Sequence, residues 1–220
     1  MSARERDIYT LGIVFVGNFN PVIITPFWLA SKGLIREAEA ETAKVQVIHP
    51  DITRFEIDWL SFEASQTRLY FKTNRESHFI VLRDLIISIF GFLKETPISA
   101  CGINHLCHYS MRSFEEYHNF GYWLSPVRVF DDILNEPKVL SVQYLETKDP
   151  DNNENGLIRL IIRPSDLIHD NKSVLITCNH HYDNLKSDAK SMMTLLSDKW
   201  DYSFDKANTL INLLWEKANL

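Results

Sequence analysis

At Pro97 the order of hydrophobic patterns along this chain begins again. Before it, residues 8–16 are rich in Ile, Val, Tyr and Thr and run into Gly-Asn-Phe-Asn-Pro at 17–21, which reads as a strand ending in a loop. Pro26 then opens a helical spacing of Phe27, Trp28, Leu29, Ala30, Leu34 and Ile35, as a first-turn proline does. Three strands are expected next, over 44–49, 54–64 and 67–73. In the second of them Phe55, Ile57, Trp59 and a displaced Phe62 alternate with Glu56, Asp58 and Ser61, so that strand has one wet face. From 78 to 94 the period changes to three and four, with Leu82, Leu85, Ile86, Ile89, Phe90 and Leu93 forming an apolar stripe. Ser77 is the available cap of that helix, and Pro97 cannot continue it.

The second run has the same order. Residues 98–110 read as a strand, 113–134 as largely helical, and 139–146, 157–163 and 173–181 as three strands, the first two separated by a polar turn at 149–156. A helix over 188–220, bent near Asp201–Ser203, closes the chain. The expectation is an α+β fold of tandem β-α-βββ-α halves, 1–96 and 97–220. Together they would form one compact unit, a largely antiparallel curved sheet with helices packed on one side. This order resembles the TATA-binding-protein-like tandem fold, in which β-α-ββββ-α halves make a saddle. The resemblance covers nearly the whole chain and implies a fold only. This reading has one strand fewer per half, and the basic, wedge-forming underside that DNA binding needs is absent from the sequence.

Composition narrows the partners. With 220 residues, 45% hydrophobic and 24% charged, the chain can bury a core of its own. Its net charge is −6 and its 23 Lys and Arg are scattered, so no nucleic-acid partner is expected. Three cysteines, an odd number, do not read as a secreted disulfide framework, which places the expectation in a reducing, cytoplasmic compartment. Residues 8–31 carry no formal charge, but Gly17, Asn18, Asn20, Pro21 and Pro26 interrupt them, so neither a membrane span nor a secretory signal is expected.

Few residues are arranged for chemistry. His105 and Cys107 are two apart on one expected strand, and Cys178 and His180 two apart on another. Each pair shares a face, with Cys101 on the same face as the first. If those strands pair, four soft ligands could meet at zinc. The alternative is a buried core set, since the spacing is Cys-x-His and cysteine is among the most buried residue types. On the opposite face of the same strands, Asn104, His108, Asn179 and His181 would line either a ligand-binding surface or a solvated sheet face. Asp132 with Glu146-Thr147-Lys148 matches the magnesium-nuclease pattern Asp…Glu-x-Lys in spacing alone. There is no Gly-x-Ser-x-Gly elbow, phosphate loop or His-Glu-x-x-His, and the chain has only seven glycines.

The densest feature is aromatic. Phe114, Tyr117, His118, Phe120, Tyr122 and Trp123 are too many for one helix to bury on one side, and Leu210, Leu214 and Trp215 add a second apolar set. The expected function is therefore a non-catalytic protein-binding or assembly subunit without a cofactor, a homodimer or other homo-oligomer or part of a larger complex such as a bacterial multi-protein system. The alternative is a small-ligand sensor or zinc-dependent enzyme using the His/Cys set.

Overall fold

A computed structural model of the protein describes residues 4–130, 132–146, 156–184 and 186–219. Nine strands form a single sheet, and every hydrogen-bonded pair of neighbours with a determined register is antiparallel. The strands are β1 (Ile8–Gly17), β2 (Lys44–His49), β3 (Ile52–Ile57), β4 (Leu60–Ser65), β5 (Arg68–Thr73), β6 (Ile98–Ser110), β7 (Val142–Glu146), β8 (Gly156–Pro164) and β9 (Ser173–Asp183). Their spatial order is β2-β3-β4-β5-β1-β6-β9-β8-β7, which leaves β2 and β7 as the two open edges. The helices are α1 (Pro26–Ser31), α2 (Glu37–Glu41), α3 (Phe79–Phe92), α4 (Phe114–Leu124) and α5 (Ala189–Ala218).

The strand expected over 54–64 is two strands, β3 and β4, joined by a turn at Asp58-Trp59. The cause is a slip in the alternation: Phe55 and Ile57 keep one phase, Leu60, Phe62 and Ala64 the other, as a two-residue hairpin turn requires. Residues 1–96 thus contain four strands after their first, one more than expected. The helix after Pro26 breaks at Gly33, whose φ of +68° is a conformation that favours glycine, and the chain re-enters a helix only at Glu37. Thr25 caps α1 by accepting from the Trp28 N–H at 3.2 Å, and Pro26 occupies its first turn. At α3 the residue preceding the helix is His78, after a short 3₁₀ turn, so Ser77 is not its cap.

The helix expected over 113–134 stops at Leu124, because Pro126 biases Ser125 to the extended backbone it adopts, φ −151° and ψ 120°. Residues 139–141 stay outside β7. The last helix is continuous through 201–203. Neither glycine nor proline interrupts it, and its buried stripe of Met192, Leu196, Trp200, Ser203, Ala207, Ile211 and Trp215 passes straight through the expected bend. The turn at 149–156 lies outside the described residues except for Gly156.

One face of the sheet carries the core. Phe55, Phe62 and Phe71 are direct cross-strand neighbours on β3, β4 and β5, with ring centroids 5.0 and 4.8 Å apart, and Phe15 joins them to Phe90 of α3. The α3 stripe of Leu82, Leu85, Ile86, Ile89 and Phe90 is buried as its spacing predicts. Helices α3 and α5 cover this face together. Trp28 of α1 packs against Phe92, and Phe120 of α4 stacks on Trp215 of α5, so the shorter helices extend the same layer. Among the described residues no helix is long and apolar enough to cross a membrane.

Where β1 ends, it runs against the start of β6, and the pairing register shifts between Val16 and Gly17. A Cβ on Gly17 would stand 2.1 Å from the Pro97 carbonyl oxygen and 2.9 Å from the Phe19 ring. Backbone cannot yield as a side-chain tip can, so Gly17→Ala is expected to cost about 1–3 kcal/mol of unfolding free energy in urea titration. A variant as stable as the wild type would show that this close approach is not tight.

Candidate functional site

Strands β6 and β9 pair over eleven residues, Ala100↔Asp183 through Ser110↔Ser173, which sets both candidate clusters. His105 lies directly opposite Cys178, and Ile103 opposite His180. Cys101, His105, Cys107, Cys178 and His180 therefore all face the helices, and all are buried. Asn104, His108, Asn179 and His181 face the opposite, helix-free side.

On the buried side, His105 is held at both ring nitrogens. Ser203 of α5 donates its one hydroxyl proton to the Trp200 carbonyl at 2.8 Å. It must therefore accept from His105 Nε2–H, 3.3 Å away. That leaves His105 Nδ1 to accept the Tyr9 hydroxyl at 2.6 Å. The network assigns one neutral tautomer and ties β1, β6 and α5 together. Phe204 packs edge-on to the His105 ring at 4.6 Å, and His180 stands edge-on at 5.7 Å. Burial, with added repulsion from His180 and Arg6, lowers the His105 pKa to about 3.

The thiols are equally muted. Cys178 Sγ lies 3.4 Å from His180 Nε2, yet burial pushes its pKa up to about 12 and that of Cys107 up to about 12, and raises Cys101 further. A nucleophilic cysteine is instead a thiolate stabilised by nearby positive charge. Among the described residues no three His, Cys, Asp or Glu side chains come together in a way that could hold a metal ion. Sequence reasoning placed these residues on one face correctly, but the tie from His105 to Tyr9 and Ser203 had no signal in spacing. Of the nuclease pattern, Thr147 and Lys148 lie outside the described residues. Glu146 lies at the end of β7 and pairs with Lys206 of α5 at 3.2 Å.

On the open side, one direct cross-strand row runs Lys72, Gly12, Asn104, Asn179, Arg159 over β5, β1, β6, β9 and β8. Asn104 Nδ2 donates to the carbonyls of Gly12 and Gly102, both at 3.2 Å, and Asn104 Oδ1 accepts from Asn179 Nδ2 at 2.6 Å. The amides lie flat because Gly102 has no Cβ: one there would meet Asn179 Nδ2 at 3.1 Å. His181 is directly opposite Gly102 and bonds Asp183 at 3.2 Å, so it joins this group. His108 does not. It lies four residues along β6 from Asn104, beneath a loop whose Ser165 hydroxyl is 2.8 Å from Nδ1, and burial lowers its pKa. Beside the row, Thr10, Glu56, Asp58, Lys72, Asn74 and Leu167 are among the residues that line a cleft of about 300 Å³, Asp58 being paired with Arg75.

Two features had no separate signal in the sequence. A cleft of about 540 Å³ opens between the loop after β1 and the end of α3, walled by Phe19, Ile24, Leu69 and Phe90, which come from three separate parts of the chain. The other is how far the residues after α4 stay uncovered. Exposed Trp123, Phe130, Ile133, Leu134 and Leu140 lead into edge strand β7, where Tyr144 and Leu145 are about half exposed.

Because His105 titrates near 3 folded and 6.5 unfolded, only the unfolded chain takes up its proton between those values. Stability therefore falls as pH drops through that window, by up to about 1.4 kcal/mol per pH unit from this residue. Urea unfolding of His105→Gln between pH 7 and 4.5 is expected to show a weaker protein with a flatter pH dependence than the wild type. Parallel curves would contradict a buried neutral His105. Compared with models of protein families and with curated proteins, the chain finds no match, and its function is read from this geometry.

Proposed function

We propose that this protein is a non-catalytic binding or assembly module whose partner, a second copy or another protein, docks on the surface formed by α4, the segment after it and edge strand β7. One observation carries this reading. Of twenty large hydrophobic side chains exposed among the described residues, ten fall between Phe114 and Leu145, with Ile133 at 80% and Leu140 at 77% exposure. Exposed apolar side chains concentrated in one segment of the chain mark interaction sites.

The edge itself favours pairing. At the other end of the sheet, β2 carries Lys44 and a register shift between Val45 and Val47, both devices that discourage strand addition. Strand β7 has neither lysine nor proline, and it pairs with β8 in five unbroken steps. Its outer backbone groups are open to an added strand, with Tyr144 and Leu145 beside it.

The same reading takes residues 1–96 and 97–220 as tandem halves of one unit. Strands β1 and β6 lie side by side, and each leads outward through its later strands in reverse order, β5-β4-β3-β2 and β9-β8-β7. That layout supports the topological likeness to TATA-binding-protein-like halves, and supports nothing about their ligand.

The test is sedimentation over a range of concentrations, with pull-downs by wild type and the Leu140→Lys/Leu145→Lys double variant compared side by side. The expected result is self-association or a specific partner retained by the wild type and lost by the double variant, with circular dichroism unchanged. A wild type that stays monomeric and retains nothing the variant loses would overturn the proposal.

A further inference from the structure

We infer that the helix-free face of the sheet binds an acidic polypeptide segment laid across the strands. The argument starts from charge. Strand residues on this face include six cations, Lys44, Arg54, Arg68, Lys72, Arg159 and Arg163, against three acids, Glu56, Glu63 and Asp183, in a chain whose net charge is −6. Internal pairing widens the imbalance. Arg54 bonds Glu63 at 2.7 Å, Arg163 bonds Asp166 at 2.7 Å, and Asp183 faces His181. Lys44, Arg68, Lys72 and Arg159 have no carboxylate within ion-pair distance among the described residues, and of the three acids only Glu56 is in that position. This face thus holds the opposite sign to the rest of the protein, and a partner of complementary charge would be steered to it.

The layout favours carboxylates on a peptide over a nucleic acid. Lys72 and Arg159 stand four strand spacings apart, about 19 Å, and Lys44 and Lys72 three spacings, about 14 Å. Such isolated cations do not make the continuous basic stripe that tracks a phosphate backbone. The face has a single Phe, Tyr or Trp ring, Tyr70, and the Arg68 guanidinium lies 5.7 Å from its centroid, so no open aromatic platform is offered for base stacking. Between Lys72 and Arg159 lies the Asn104–Asn179 pair. Asn179 Oδ1 accepts no bond from the protein among the described residues and could receive a peptide N–H. An extended peptide rises about 3.3 Å per residue, so acidic residues about six apart would reach both cations.

This inference rests on the protein-binding reading only in taking the occupant to be polypeptide, since it concerns the charged row of the sheet face, which adjoins the apolar surface at Leu145 beside Arg159. The probe is a fluorescent polyglutamate peptide of about ten residues, followed by polarisation at low and physiological ionic strength. Binding that weakens with salt is expected, and Lys72→Glu/Arg159→Glu should reduce affinity at least about tenfold. Ile133→Ser/Leu140→Ser, uncharged changes on the exposed segment after α4, should leave it unchanged, which separates this site from the apolar one. The control is Lys190→Glu/Lys217→Glu on α5, which alters net charge equally on the other layer. Equal loss in the control, absence of salt-sensitive binding, or tighter binding of a DNA oligonucleotide of the same charge would each overturn the inference.

Discussion

The register of β1 against β6 is the constraint on which the rest of this structure depends. Ten residue pairs join these two strands at the middle of the sheet, from Ile8↔His108 to Gly17↔Ile98, and only the last is out of step. A strand's side chains alternate between faces, so a slip of one residue would turn every one of them over. If β6 kept its faces, Leu11, Ile13 and Phe15 would leave the core; if β1 kept its faces, Asn104 and His108 would enter it in place of Ile103, His105 and Cys107. The apolar cost of burying Leu, Ile and Phe on one face therefore selects the register, and with it the identity of both faces.

Within that frame the polar groups of the core act as a locating device. A buried histidine is tolerated when its hydrogen-bonding capacity is met, and His105 meets it by reaching one residue on β1 and one on α5. The long helix could slide along an apolar sheet at little energetic difference, but Ser203 must stand over His105 for the network to close. Specificity of this kind comes from polar groups placed among apolar ones, whereas most of the stability comes from the rings around them. The same burial that keeps His105 neutral keeps the nearby thiols protonated.

The two surfaces proposed for binding follow from the way the layers are distributed. Among the described residues the helices that pack on the sheet lie on its core side, leaving the opposite face without a helix and covered over His108 by the loop that holds Ser165. The second half of the chain ends its sheet in an unguarded strand beside an exposed apolar surface, whereas the first half ends in a strand protected by lysine and a register shift.

By itself the sequence determined the element types and most of their extents, because local periodicity and proline chemistry act within a few residues: β6 over 98–110, the α3 stripe and the capped start of α1 are cases in point. It also determined which residues of 98–110 and 173–181 share a face, since alternation along a strand is local. The hairpin hidden in 54–64 was written in the phase slip at Trp59-Leu60, but reading it requires knowing that the two segments pair. Tertiary structure alone decided that β1 and β6 are neighbours, that Tyr9 and Ser203 meet at His105, and that four cations without an ion pair among the described residues share one helix-free face. Those are contacts between residues up to roughly two hundred positions apart, and no local propensity encodes which distant segment will supply the partner.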